Sequence, residues 1–183
     1  MQVARPPAHA PEPALPGARP PTADGHDVCE RLIHLFRTRA VPYRTIPHPP
    51  EGRTEAASRL RGHPLEQAAK SLVVRVATGK RSRRYVLAVV PGDRRVDLPA
   101  VAARYGARGA AFATRGVAER LGGSVSGSIV PFAFAAELDL LVDAGLPSQP
   151  EIFFNAGRLD LSVALAVPDY LALAAPAVAP IAR

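Results

Sequence analysis

The chain has 183 residues, 48% hydrophobic and 21% charged, with a formal charge of +7, which suits one globular domain with a real core. Its single cysteine, Cys29, excludes an internal disulfide and fits a reducing compartment. No apolar run is long enough for a membrane span, and Pro6, Pro7, Pro11, Pro13, Pro16, Pro20 and Pro21 interrupt any signal-peptide apolar region, so the chain reads as cytoplasmic.

The cation excess favours a polyanionic partner, nucleic acid or a nucleotide-bearing substrate, over an acidic protein surface. Most of it is arginine, which also tracks with GC-rich coding. Six Phe, four Tyr and no Trp leave Ala, Val and Leu to fill the interior.

Residues 1–25 are rich in Pro and Ala. They are expected to form a disordered or polyproline-like tail, because proline removes the donors that helices and sheets need. The domain is expected over 26–183. Asp27 reads as an N-cap, with Val28, Leu32, Leu35 and Phe36 at helical spacing behind it. Residues 42–47 alternate as a short strand between prolines and end at His48. Thr54 is expected to cap a helix through Leu60, closed by Gly62.

Residues 64–69 carry helix formers behind a proline. Residues 72–76 read as a mostly buried strand. Lys70 therefore falls where a short helix feeds a core strand. An ammonium there is either solvated, with help from the helix dipole, or aimed into a cleft; position alone favours the solvated reading.

Residues 79–84 form a basic turn, and 85–90 return as a strand, which predicts a hairpin with a positive tip at Lys80, Arg81, Arg83 and Arg84. Cationic tips often serve solubility, but four cations in five residues of a basic chain point to phosphate contact. Beyond it the pattern predicts helices at 98–105, 115–121 and 169–174, and strands at 110–113, 138–142, 152–154 and 161–167. Asn155, Ala156 and Gly157 read as a turn. Short helices alternating with strands and hairpins predict a mixed sheet in a single α/β or α+β domain.

No histidine or cysteine spacing fits a metal site, and no phosphate-cradling glycine loop is present. Gly123-Ser-Val-Ser-Gly127 is offset from a hydrolase elbow and lacks a following helix. The remaining candidates are Lys70, His48, the Gly127–Pro131 loop with Ser128, Asp143 and Asn155. Each also has a plain structural reading as a turn, cap or helix-end residue. The glycine loop could offer amide donors to a carbonyl or phosphate.

Together these segments resemble a known family. Glu66-Gln-Ala-Ala-Lys70-Ser-Leu-Val-Val is similar to the lysine motif of the YbaK-like, prolyl-tRNA-synthetase-associated editing domains. Ala88-Val-Val-Pro-Gly-Asp93 with Val96-Asp97-Leu98, the Gly127-Ser-Ile-Val-Pro131 loop, Leu141-Val-Asp143 and Phe154-Asn-Ala-Gly157 follow the same pattern. Asn155-Ala-Gly-x-Leu-Asp160-x-Ser162 is most like the free-standing YeaK-like branch. The resemblance covers roughly residues 28–183.

It implies a single domain with a mixed, largely antiparallel, barrel-like sheet core flanked by short helices. It implies a trans-editing deacylase, without cofactor or metal, whose partner is mischarged aminoacyl-tRNA; an aminoacyl-tRNA synthetase is a second candidate partner. By this resemblance Lys70, Gly127, Ser128 and Pro131 carry catalysis, and His48, Asp143, Asn155, Gly157 and Ser162 line the amino-acid side of the site. The family uses no Ser-His-Asp nucleophile. A polar pocket at Asn155 and Ser162 points to Ser- or Thr-tRNA over Ala- or Cys-tRNA. The competing expectation is a non-catalytic tRNA- or nucleotide-binding module of the same fold.

Overall fold

The computed structural model describes residues 27–79 and 82–183. The expected tail, and Lys80 and Arg81 of the hairpin tip, lie outside the described residues. Helix α1 (Val28–Thr38) starts where expected, with Asp27 accepting from the Cys29 amide at 3.2 Å. Its Val28, Leu32 and Phe36, four residues apart, are buried as one face. Cys29 is half-buried, and burial pushes its thiol upward, as suits a small packed hydrophobe.

Two sheets form the core. The first has the order β1-β7-β6, all antiparallel, from β1 (Tyr43–Pro47), β6 (Glu151–Arg158) and β7 (Leu161–Ala166). The second has the order β4-β2-β3-β5-β8, from β2 (Ala69–Ala77), β3 (Arg83–Pro91), β4 (Ala110–Phe112), β5 (Leu138–Asp143) and β8 (Ala177–Ala179). In it β4, β2 and β3 pair antiparallel, while β3, β5 and β8 pair parallel. The barrel-like core expected from the resemblance is an open pair of sheets, with edges at β1, β6, β4 and β8. A bridge between Ala68 and Phe153 links the entry of β2 to β6.

Both faces of the larger sheet are covered, so β3 reads as an unbroken apolar run from Tyr85 to Pro91, and β2 as a run from Leu72 to Ala77 interrupted by the exposed Arg75. On one side Val73, Leu87 and Val89 meet Phe154, Val163 and α1. On the other, Val74, Val86 and Ala88 meet Ile181 and Val101 of α3 (Leu98–Arg104). Helices α2 (Thr54–Arg61), α4 (Arg115–Gly122) and α5 (Val167–Ala174) complete the domain.

The structure departs from the sequence expectations at four places. Residues 64–69 are not an α-helix; only Leu65–Gln67 form a 3₁₀ turn. Ala68 bridges Phe153 and Ala69 pairs with Pro91, so sheet pairing overrides helix propensity there. Thr54 is the first residue of α2 rather than its cap, and the Arg53 amide before it donates to Glu51 Oε1 at 2.8 Å. Asn155 to Gly157 continue β6 through a bulge instead of turning. Finally, β8 pairs parallel with Leu141 to Asp143.

Candidate active site

The two sheets meet around a cleft of about 200 Å³. Its walls come from Gly52 and Thr54 before and in α2, Ala57 and Arg61 of α2, residues 68–72, Gly127, Ile129, and residues 153–155 of β6. Lys70 is thus on a strand, at the second position of β2, rather than at a helix end. Its ammonium donates to the Gly92 carbonyl at 3.1 Å and to the Arg94 carbonyl. Burial lowers its pKa, with Asp93 partly opposing that shift. The turn that holds it is fixed in turn, since Arg95 and Arg183 exchange two backbone hydrogen bonds of 2.9 Å.

Gly127 is required by geometry. Its φ is +91°, and a Cβ there would stand 2.7 Å from the Cα and carbonyl oxygen of Gly52. Two loops therefore touch backbone to backbone at the cleft wall. Asn155 ties them: its Nδ2 donates to the Glu51 carbonyl at 2.8 Å and to the Gly127 carbonyl at 2.9 Å. Its Oδ1 accepts from Ser162 Oγ at 2.8 Å.

Ser162 is fully buried and also accepts from Arg61 Nη1 at 3.2 Å, while His48 Nε2 lies 2.7 Å from its oxygen. The His48 Nδ1 proton faces the Pro49 carbonyl at 2.8 Å. The sequence suggests that Asn155 and Ser162 face a substrate hydroxyl. In the fold both amide protons of Asn155 and the hydroxyl of Ser162 are engaged with protein atoms.

The other nominated residues separate into different regions. Ser128 is buried, with its hydroxyl and amide both donating to the Val125 carbonyl at 2.9 Å. The Pro131 carbonyl accepts from the buried Tyr170 hydroxyl at 2.9 Å. Gly157, at φ +78°, donates to the Ser128 carbonyl at 3.2 Å and braces the same loop from behind.

Asp143 stands apart from the cleft lining. Its two carboxylate oxygens accept from the amides of Gly145 (2.9 Å) and Ile181 (2.8 Å), which pins the segment after β8. Arg83 and Arg84 are exposed at the far end of the β2–β3 ribbon, where Arg84 pairs with Asp139 at 3.2 Å. Seven residue steps along β2 separate Lys70 from Ala77, the partner of Arg83, or roughly 23 Å at the usual strand rise.

Sequence reasoning missed Arg61 and Ser71. Arg61 sits at the last position of α2, where a cation before a glycine looks like any solvated helix end. Its side chain instead turns inward, and its Nε is buried without a hydrogen-bond partner. The Ser71 Oγ, on the strand residue after Lys70, is also buried and unpartnered. His63 carries the remaining such atom among the described residues, its Nε2. Its ring stacks on cleft-lining Phe153 at 3.9 Å, and burial lowers its pKa to about 4. No group of histidine, cysteine and carboxylate side chains able to hold a metal occurs among the described residues. No described helix is long and apolar enough to cross a membrane.

A sequence profile described as an aminoacyl-tRNA editing domain matches residues 48–173, which spans every wall of the cleft. The "Multifunctional Ser/Thr-tRNA deacylase ProXp-y" of Escherichia coli is 39% identical over 155 residues, covering 84% of this chain and 92% of that protein. Among solved structures, a hypothetical protein matches with a TM-score of 0.76 at 21% identity, covering 84% of this chain and all of that one. A candidate trans-editing enzyme for prolyl tRNA synthetase matches with a TM-score of 0.73 at 23% identity, covering 86% and 98%. These two likenesses establish a shared fold.

Proposed function

Because the chain belongs to the aminoacyl-tRNA editing domain family, we propose that it is a free-standing deacylase, cleaving the ester between a wrongly attached amino acid and the 3′ end of its tRNA. Seryl and threonyl esters are the proposed substrates, following the activity named for the Escherichia coli relative. The observation that carries the reading is the cleft, which is lined by Lys70 and Arg61 and, among the described residues, by no carboxylate. At about 200 Å³ it lies below the roughly 300–1,000 Å³ of clefts that enclose drug-sized ligands. An aminoacyl ester on a ribose edge suits that size, and the remainder of the tRNA stays outside.

The chemistry needs no protein nucleophile. Water adds to the ester carbonyl carbon and its oxygen becomes an oxyanion. The bond to the ribose oxygen then breaks. The amino acid leaves as a carboxylate; of the two protons of the attacking water, one ends on the ribose oxygen and the other in solvent. Lys70 and the Gly127–Pro131 loop supply the electrostatics and shape of the site. His48, Asn155 and Ser162 hold the walls at fixed spacing. The exposed Arg83 and Arg84, with Lys80 and Arg81, contact tRNA phosphates away from the ester. The reaction belongs in the cytoplasm, and a synthetase that releases the mischarged tRNA is the proposed second partner.

The test is single-turnover hydrolysis of tRNA mischarged with serine, threonine or alanine on one tRNA body. Seryl and threonyl esters should be cleaved, and the alanyl ester more slowly. Binding of all three without hydrolysis would make the protein a tRNA-binding module instead.

A further inference from the structure

The two cations of the cleft differ in what already holds them. Two of the three Lys70 ammonium protons are engaged with the Gly92 and Arg94 carbonyls. Among the described residues Arg61 hydrogen-bonds only to hydroxyls: Ser162 Oγ at 3.2 Å and, at the limit of hydrogen bonding, Ser58 Oγ at 3.5 Å. Its Nε makes no hydrogen bond and is buried. Burial lowers the guanidinium pKa to about 10, and no carboxylate contributes to that shift, so it remains charged at neutral pH.

Holding a half-buried cation without an anionic partner is costly. A side chain as long as arginine could relieve that cost by reaching into solvent. Here it is kept inside by anchored hydroxyls. Ser58 donates back to the Thr54 carbonyl at 2.9 Å, and Ser162 is fixed by Asn155. The guanidinium is therefore preorganised, with donors in hand, in a cleft of about 200 Å³ that no carboxylate lines among the described residues.

The geometry points to Arg61 as a catalytic residue, donating from its guanidinium to the ester carbonyl oxygen as that oxygen becomes an oxyanion. This assignment rests on the deacylase reading. It divides the labour between the two cations. Lys70 fixes the 92–94 turn and contributes a positive field, while Arg61 makes the direct contact that strengthens as negative charge develops. Water supplies the attacking oxygen; the pair of electrons from the carbonyl double bond moves to the oxygen facing Arg61, then returns as the ribose oxygen departs. The substrate's α-ammonium should point away from both cations, since like charges repel.

The experiment is single-turnover hydrolysis of seryl-tRNA by Arg61→Ala, Arg61→Gln and Arg61→Lys, with thermal melts of each. The expected result for Arg61→Ala and Arg61→Gln is a rate lower by about a hundredfold or more, with KM changed only a few-fold. Arg61→Lys should recover little, because a point ammonium cannot reproduce the fork. Guanidinium ion, added far below unfolding concentrations, should restore much of the Arg61→Ala rate and none of the Arg61→Gln rate.

If Arg61→Gln folds and cleaves near the wild-type rate, the assignment is wrong. The same follows if Arg61→Ala loses activity only in proportion to its loss of folded protein and guanidinium restores nothing. Should Arg61→Ala fail to fold, Arg61→Lys decides: near-wild-type cleavage overturns the specific fork contact, and a large loss supports it. A wild-type protein that cleaves no mischarged tRNA would instead sink the deacylase reading.

Discussion

At its hairpin end the β2–β3 ribbon carries Arg83 and Arg84 in solvent, with Arg84 paired to Asp139. At its other end Lys70 is half-buried against backbone carbonyls, and Arg61 of the same cleft pairs, among the described residues, with hydroxyls. The first end has the higher density of charge in sequence. The second has the stronger field, because salt and water screen exposed cations within about 10 Å at ordinary ionic strength and screen buried ones far less. Runs of like charge mark where a polyanion can be gathered; isolated cations folded inward mark where a bond can be polarised.

Lys70→Ala should break the comparison at its stronger end. Loss of one preorganised electrostatic group costs on the order of a hundredfold or more in rate. Two carbonyls near the surface lose a donor, so stability should fall by only about 1 kcal/mol, a shift of a few degrees in Tm. Single-turnover rates and melts on the same preparation check both, and a near-wild-type rate would leave Lys70 with the turn as its only duty.

Asn155→Ala should be smaller in rate and larger in stability. It strands the Glu51 and Gly127 carbonyls, at about 2 kcal/mol, and lets the two loops drift. We expect about a tenfold slower hydrolysis and a melting point lower by several degrees. A full rate on a destabilised protein would show that the cleft does not depend on that tie.

Neutralising Lys80, Arg81, Arg83 and Arg84 sharpens the contrast. Affinity for tRNA should weaken at low salt, and the slope of log K against log salt should flatten by up to about one for each phosphate left without its cation. Turnover at saturating tRNA should stay constant. Unchanged affinity would reduce the tip to a solubilising feature.

The smallest effect concerns His63. Its folded pKa, about 4, lies below the ordinary 6.5, so the unfolded chain binds the proton first. Stability from neutral His63 is complete above pH 6.5 and is lost as pH falls toward 4. His63→Phe, which can keep the stack on Phe153, should flatten Tm against pH in that window. An unaltered slope would assign the acid sensitivity to other groups.

Much of this fold is legible from periodicity. The face of α1, the apolar runs of β2 and β3 and the positions of β5 and β7 follow from spacing alone. The unread parts depend on partners distant in sequence. Residues 65–69 favour a helix until Phe153 and Pro91 pair with them. Gly157 looks like a turn glycine because the bulge that needs its positive φ belongs to a strand.

The same holds for the site. Lys70, Gly127 and Asn155 are recognisable as polar or glycine punctuation among apolar runs, and the cleft brings them together. Asp143 has the same look, yet its partners are backbone amides, one of them 38 residues away. Arg61 escaped notice because a sequence records a cation but not whether it faces water.

The Asn155 amide joins residues 104 and 28 positions distant, and that reach bears on how the protein comes to work. Contacts of such long range close late in folding, since loop closure must precede any gain from them. The cleft therefore has no precursor in a hairpin or a helix pair. A chain whose β6 has not yet docked can hold a native-like β2–β3 ribbon and still possess no site, so hydrolytic activity reports completion of the fold rather than its onset. On a mild rise in temperature the order reverses: opening of the 51–54 and 124–131 loops away from Asn155 would silence the enzyme while amides in the central strands remain protected from exchange.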